Sequence, residues 1–321
     1  MPRPVVFVAR RIPELAFRLI AEHADIRLHE GALPPTRAEL CEGVRGCTGI
    51  LSLLSDRMDA EVFEAAGPQL KVVSNFAVGY NNIDVPEARR RGIAIGNTPG
   101  VLTEATADIA VALLLAVARR LPEGWQAVKE GEWKTWEPLG WMGLELASKT
   151  LGVVGLGRIG SAVAQRLHGG WGMRVLYTAR SPKPEFDQKF GARHVSLNEL
   201  LRECDFVSLH VPLSDDTRKL IGAPELALMK QTAILINTAR GEVLDQDALF
   251  GALRERRIFA AGLDVCEPEP LPTDSPLREL ANCLIVPHIG SATITARNAM
   301  AERSARNLIA GVLGQPLPYP V

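Results

Sequence analysis

Short apolar runs recur along the chain, separated by stretches in which apolar residues return at helical spacing. The first five, at 5–9, 26–28, 50–54, 72–76 and 93–95, are too short for helices and predict strands. Between them lie helix-like stretches, the clearest over 14–23. That alternation predicts a parallel sheet with crossover helices. Further runs at 150–154, 173–178, 206–209, 234–237, 260–263 and 284–286 predict a second sheet of the same kind, and a long helix over 293–312 closes the chain. The predicted fold class is therefore α/β, with two doubly wound parallel-sheet domains. The turn Asn97-Thr98-Pro99-Gly100 is the expected crossing between them. The expected division is 1–99 plus 291–321 and 100–290, because the last helix is expected to return to the first domain.

Two stretches do not fit the strand-helix rhythm. The helix predicted over 104–119 is apolar on nearly every side across 109–118, so it should be buried between domains or subunits. Four of the five tryptophans, Trp125, Trp133, Trp136 and Trp141, then fall close together around Pro138. So apolar a cluster suits a subunit interface, and a lid over an active site is the second reading.

Composition narrows the partners. Apolar residues make up 47% of the 321 and charged residues 23%, ordinary for a globular chain with two cores. A formal net charge of −1 gives no reason to expect nucleic acid or an anionic membrane as a partner, and small ligands fit better. Five cysteines without a C-x-x-C pair indicate neither a disulfide framework nor a zinc site, and fit a reducing cytoplasm. The N-terminal apolar run is too short for a signal peptide, and the longest run, 109–118, is about half a membrane span.

The stretch T-L-G-V-V-G-L-G-R-I-G, 150–160, carries the first chemistry. A buried strand runs into G-x-G-x-x-G at Gly155, Gly157 and Gly160 and then into a helix over 158–167, with a second strand at the separation a βαβ unit needs. Gly155 permits the turn, Gly157 lets a pyrophosphate touch the backbone, Gly160 lets helix and strand close up, and the helix N-terminus faces the anion. This predicts a Rossmann unit. NAD-binding versions place an Asp or Glu at the end of the second strand for the adenosine ribose. Here that segment reads Tyr177-Thr178-Ala179-Arg180-Ser181-Pro182-Lys183, with no carboxylate. Arg180, Ser181 and Lys183 stand where a 2′-phosphate would sit, which favours NADP(H) and leaves NAD(H) possible; two solvated surface cations are the plain alternative.

Three charged groups follow predicted strands of the second domain, where open α/β sheets build sites: Arg240, Glu269 and His288. A guanidinium can grip a carboxylate with two hydrogen bonds. A His backed by a carboxylate is a common general acid/base pair. His210, in L-H-V-P-L, is equally well placed at a strand end. Together, behind a dinucleotide fold, these groups describe hydride transfer to a carbonyl beside a carboxylate.

The chain resembles the D-isomer-specific 2-hydroxyacid dehydrogenase family. The resemblance runs through G-Y-N-N-I-D (79–84), T-P-G-V-L-T-E-A-T-A-D (98–108), the glycine turn, V-P-L-S-D-D-T (211–217), N-T-A-R-G (237–241), G-L-D-V-C-E-P-E-P (262–270) and P-H-I-G-S-A-T (287–293), essentially the whole chain. It implies a flavodoxin-like substrate-binding (catalytic) domain at 1–99 plus 291–321. The cofactor domain at 100–290 would carry a dimerisation helix and loop at about 103–145. It also implies that Arg240 binds the substrate carboxylate, that His288 protonates the carbonyl oxygen, and that Glu269 orients His288. The amides of Val78 and Gly79 would grip the same carboxylate. Gly155, Gly157, Arg158, Ile159, Gly160, Ala179, Arg180, Ser181 and Lys183 would hold the cofactor's adenosine and phosphates, while Pro212, Thr238, Ala239, Asp264 and Gly290 line its cleft towards the nicotinamide.

Within the family, the sequence is most similar to glyoxylate and hydroxypyruvate reductases, through N-T-P-G-V-L-T-E-A-T-A-D, L-Y-T-A-R-S and L-I-V-P-H-I-G-S-A-T with the downstream A-R-N-A-M-A-E. Formate dehydrogenases have Gln where Glu269 stands. Phosphoglycerate dehydrogenases usually have a cation just before the V-G pair, and Asn75-Phe76-Ala77 offers none. The expected substrate is a small unphosphorylated 2-oxo acid and the expected assembly a homodimer, with Trp141 either covering the partner's substrate pocket or acting as a structural interface anchor. Dinucleotide-sensing corepressors of the same fold are the non-enzyme alternative.

Overall fold

The computed structural model describes residues 3–321, which divide into two compact units, one of residues 3–102 with 292–321 and the other of residues 103–291.

In the first unit, five strands form one all-parallel sheet: β1 (Val5–Val8), β2 (Asp25–Leu28), β3 (Gly49–Ser52), β4 (Val72–Asn75) and β5 (Ala94–Gly96). Their order is β2-β1-β3-β4-β5. β3 and β4 are buried along their full length, as expected where helices cover both faces of a parallel sheet. Helices α1 (Glu14–Ala21), α2 (Arg37–Gly43), α3 (Ala60–Ala66) and α4 (Val85–Arg90) make the crossovers. Side chains define several of their starts: Thr36 and Glu39 form a reciprocal cap on α2, and Asp59 and Asp84 cap α3 and α4. The C-terminal helix (Ile294–Val312), capped by Thr293, lies against β3, β4 and α1. Its buried face carries two polar residues, Ser304 and Asn307, both fully covered and both hydrogen-bonded, the Ser304 hydroxyl donating to the Met300 carbonyl.

The second unit begins with α5 (Thr103–Ala118) and α6 (Leu121–Lys129). Seven parallel strands follow: β6 (Thr150–Val154), β7 (Arg174–Thr178), β8 (Arg193–His194), β9 (Phe206–Leu209), β10 (Ile234–Asn237), β11 (Ala260–Leu263) and β12 (Cys283–Ile285). The intervening helices are α7 (Arg158–Trp171), α8 (Pro184–Phe190), α9 (Leu197–Glu203), α10 (Ala223–Leu228) and α11 (Gln246–Arg254). The sheet order, β8-β7-β6-β9-β10-β11-β12, reverses direction between β6 and β9. That reversal is the doubly wound Rossmann arrangement, and it opens a crevice beyond the carboxyl ends of those two strands. Helix α5 needs no second domain or subunit to bury most of its surface, because Ala107, Ala110, Leu113 and Leu114 pack within its own unit against α7, β10 and β11. Beyond it, Leu121, Trp125, Val128, Trp133, Trp136, Leu139, Trp141 and Met142 are exposed. Among the described residues no helix is long and apolar enough to cross a membrane.

Candidate active site

The glycine turn leaves β6 at the crevice. Gly155 has φ +96°, a conformation in which a side chain is strained, and a Cβ there would lie 2.8 Å from the His210 carbonyl carbon. A Cβ on Gly160 would meet the Gly155 carbonyl oxygen at 2.3 Å, so both positions exclude any larger residue. Gly157 differs, because a Cβ there would meet nothing within 4 Å and would project into open space. Gly157 is also the N-cap of α7, and no side chain caps that helix. The first-turn amides, at Arg158 and Ile159, are thus available to an anion.

At the end of β7, Arg180, Ser181 and Lys183 are exposed, and their side chains make no hydrogen bond or ion pair with another described residue. The loop beneath them is ordered by backbone contacts. His194 Nε2 approaches the Ala179 carbonyl at 2.9 Å, and the Lys183 amide donates to the Tyr177 hydroxyl at 2.6 Å. Pro212, on the far side of the crevice, accepts at its carbonyl from Thr217 Oγ1 at 2.7 Å. Thr238, directly after β10, is buried, and its Oγ1 has no hydrogen-bond partner among the described residues. An orphaned buried hydroxyl, an uncapped helix and an unfilled space at Gly157 fit a dinucleotide.

Three loops at the carboxyl ends of β10, β11 and β12 bring the charged groups together. After β10, Asn237 Oδ1 accepts from the Ala239 amide at 3.0 Å and its Nδ2 donates to the Arg240 carbonyl at 2.9 Å, a tight Asx turn that presents Arg240. Arg240 Nη1 donates to the Ala239 carbonyl at 2.7 Å. Burial pushes the guanidinium pKa down while Glu269 and Glu242 pull it back up, and it stays charged at neutral pH. The next residue, Gly241, packs so closely on the 266–267 backbone that a Cβ would come within 2.1 Å of the Cys266 carbonyl. The Arg240 loop and the segment leading to Glu269 are therefore in direct contact. Gln246 Oε1 also accepts from the Glu267 amide at 3.0 Å.

His288 Nδ1 lies 2.5 Å from Glu269 Oε1. The pair is only partly covered, His288 with 29% of its side chain exposed and Glu269 with 42%, so it is reachable from solvent. His288 sits in the left-handed region at φ +51°, uncommon for a residue with a Cβ. Asp264, 2% exposed at the end of β11, holds it there: its two oxygens accept from the amides of Ile289, at 2.6 Å, and Gly290, at 2.8 Å. The Gly290 carbonyl in turn accepts from Thr106 Oγ1 at 3.1 Å. Burial raises the Asp264 pKa, and the two amides and His288 oppose that rise. The sequence reading placed Asp264 near a nicotinamide and missed this clamp, although a buried carboxylate directly after a strand must find donors.

His210 does not share this environment. Its Nε2 pairs with Ser208 Oγ at 2.8 Å, and burial pushes its pKa down to about 3. It is neutral near pH 7 and lies under the glycine turn.

In the first unit, Val78 and Gly79 follow β4 and are half-buried. The Ala77, Val78 and Gly79 carbonyls are all engaged, by the Thr98 amide, Asn97 Nδ2 and Asn75 Nδ2 respectively. The amides of Val78 and Gly79 donate to no other described residue. Among the described residues no group of His, Cys, Asp and Glu could hold a metal.

Residues 111–290 match the family described as "D-isomer specific 2-hydroxyacid dehydrogenase, NAD binding domain". The chain belongs to this family. It is 50% identical over 317 residues to a glyoxylate reductase of Korarchaeum cryptofilum, covering 98% of this chain and 95% of the relative. A solved protein from Thermus thermophilus superposes with a TM-score of 0.92 at 48% identity, covering 99% of each chain. The NADPH-dependent glyoxylate/hydroxypyruvate reductase of Sinorhizobium meliloti, solved with NADP and malonate, superposes with a TM-score of 0.85 at 33% identity, covering 100% of this chain and 97% of that one. As a member, the chain is an oxidoreductase with a dinucleotide-binding Rossmann unit.

Proposed function

We propose that this enzyme is an NADPH-preferring reductase of small unphosphorylated 2-oxo acids, taking glyoxylate to glycolate and hydroxypyruvate to D-glycerate. The first unit serves as the substrate-binding domain and the second as the cofactor domain. The observation that carries the reading is the His288–Glu269 pair at 2.5 Å, standing behind a Rossmann turn in a member of this family. The names of relatives, glyoxylate reductase and glyoxylate/hydroxypyruvate reductase, support the substrate class.

A reduced nicotinamide, when bound, would supply the hydride. The chain's own groups do the rest. Arg240, and in the first unit the amides of Val78 and Gly79, bind the substrate carboxylate. Glu269 fixes Nδ1 of His288, so Nε2 is the nitrogen that presents a proton to the carbonyl oxygen as hydride reaches the carbonyl carbon. One hydride and one proton convert the 2-oxo acid to the 2-hydroxy acid. Asp264 keeps His288 in its left-handed backbone conformation. At the other end, Gly155, Gly157, Arg158, Ile159 and Gly160 take the pyrophosphate. Arg180, Ser181 and Lys183 take a 2′-phosphate, Ala179 borders the ribose, and Pro212, Thr238, Ala239 and Gly290 line the cleft.

The test is purified enzyme with NADPH and glyoxylate, followed by loss of the reduced-nicotinamide absorbance. Turnover is expected, with His288→Gln lowering kcat on the order of a hundredfold while NADPH binding changes by less than about twofold. Tight cofactor binding without turnover of any 2-oxo acid would make the protein a dinucleotide sensor. Retention of most of kcat by His288→Gln would remove His288 as the proton donor.

A further inference from the structure

The turn Asn97-Thr98-Pro99-Gly100 reads as punctuation in the sequence, yet the Asn97 side chain, just past β5, reaches a particular peptide bond in the loop after the neighbouring strand β4. Its Nδ2 donates to the Val78 carbonyl at 2.7 Å. The peptide unit is planar and trans, so the carbonyl of Val78 and the N–H of Gly79 point in opposite directions and turn together. Holding one aims the other. The preceding peptide is held in the same way, since the Thr98 amide donates to the Ala77 carbonyl at 2.9 Å and so fixes the Val78 N–H. On the far side of Gly79, Asn75 Nδ2 donates to the Gly79 carbonyl at 2.8 Å. Glycine is the residue whose flanking peptides turn most easily, and here both are pinned.

The anchors are themselves fixed. Asn75 is fully buried and forms a two-bond amide pair with Asn82, at 3.1 and 3.3 Å, while its Oδ1 also accepts from Ser52 Oγ at 3.0 Å. Asn82 Nδ2 continues to the Leu53 and Asp56 carbonyls at 2.9 and 3.0 Å. The Asn97 carbonyl accepts from Asn307 Nδ2 at 3.0 Å, and Asn307 Oδ1 accepts from the Tyr319 amide at 2.9 Å. Four buried or part-buried asparagines are costly polar groups in a sheet-end environment, and each of them bonds to a residue in the loops after β3, β4 or β5.

We propose that Asn97 is a positioning residue, aiming the Gly79 amide at the substrate carboxylate by holding the Val78 carbonyl, with Asn75 preventing Gly79 from turning on its other side. This rests on the reading of the Val78 and Gly79 amides as carboxylate donors. A carboxylate bond is made in ground and transition states alike, so its loss appears in KM rather than kcat.

The experiment measures KM and kcat for glyoxylate, Ki for oxamate, NADPH Kd and melting temperature in the wild type, Asn97→Asp and Asn97→Ala. Asn97→Asp sets an acceptor against the Val78 carbonyl and turns the peptide away. Asn97→Ala only releases it, and carries the same readout if the aspartate variant does not fold. Expected is a rise of KM and oxamate Ki together, by about tenfold, the loss of one charge-assisted hydrogen bond. kcat should change by less than about threefold and NADPH Kd by less than about twofold. Unchanged KM and Ki, or a fall in kcat and melting temperature with Ki intact, overturns the inference and leaves Asn97 a structural residue. If the wild type itself neither turns over glyoxylate nor binds oxamate, it is the 2-oxo acid reductase reading that fails.

Discussion

Two histidines, His210 and His288, stand at strand ends in the sequence with equal claim to a proton-transfer role, and only their surroundings separate them. His288 has Glu269 at 2.5 Å, whereas His210 has a serine hydroxyl and a covering that depresses its pKa to about 3. Spacing cannot show this, because both partners come from distant segments or from the way a side chain turns. The difference has a consequence for stability. In the unfolded chain His210 titrates near the ordinary 6.5, but in the fold it stays neutral down to about pH 3. Between those values the unfolded state binds a proton that the native state refuses, so stability falls as pH drops through this window, by about 1 kcal/mol per pH unit for this group. His210→Gln should flatten that part of the acid limb, measured as urea midpoints at pH 7, 5.5 and 4. Parallel losses in wild type and variant would show that other groups govern acid unfolding. Asn75, Asn97 and Asp264 were illegible for a related reason: an Asn or Asp at a strand end reads as turn chemistry until its acceptors or donors are seen.

At the scale of elements, the strands and long helices were legible because each buried strand is a run of apolar residues. The doubly wound class followed from their alternation. Helices α2, α3, α4, α8, α9 and α10 are only six or seven residues long, under two turns, and so leave no periodicity to find. The two-residue β8 is invisible for the same reason. In the proposed function, cofactor choice turns on the segment between β7 and α8. It offers Arg180, Ser181 and Lys183 to solvent with no carboxylate before them, and α8 then opens with Pro184. Arg180→Ala should weaken NADPH binding by about 1–3 kcal/mol, the range of a charge-assisted hydrogen bond, and leave NADH nearly unaffected. Ala179→Asp should move the preference towards NADH by supplying a ribose acceptor and repelling a 2′-phosphate. Titrating both cofactors into both variants checks this, and equal losses for NADPH and NADH in Arg180→Ala would rule out phosphate recognition there.

At the scale of the whole molecule, the segment 121–142 asks for a partner, since it exposes eight large apolar side chains, which is costly in water. We propose that the partner is a second copy. Its tryptophans are not equivalent. Trp136 is 80% exposed and Leu139 79%, so these two present large apolar surface to an interface, whereas Trp141 is 47% exposed and lies under the Arg120 guanidinium, 5.5 Å from the ring centroid. Trp141 also has φ +56°, a backbone conformation that fixes the direction in which the indole leaves the chain. A ring half covered by its own chain and held at a set angle suits a pocket wall better than a main anchor. Our expectation is that Trp141 borders the substrate pocket of the partner subunit. Trp141→Ala should then leave the dimer intact by sedimentation and change the ratio of kcat/KM between glyoxylate and hydroxypyruvate by about 1 kcal/mol or more, the value of lost apolar contact. Trp136→Ala should instead shift the chain towards monomer and lower activity on both substrates together. If Trp141→Ala yields monomers, the residue is an anchor, and if dimer and ratio both stand unchanged, it has no place in the active site.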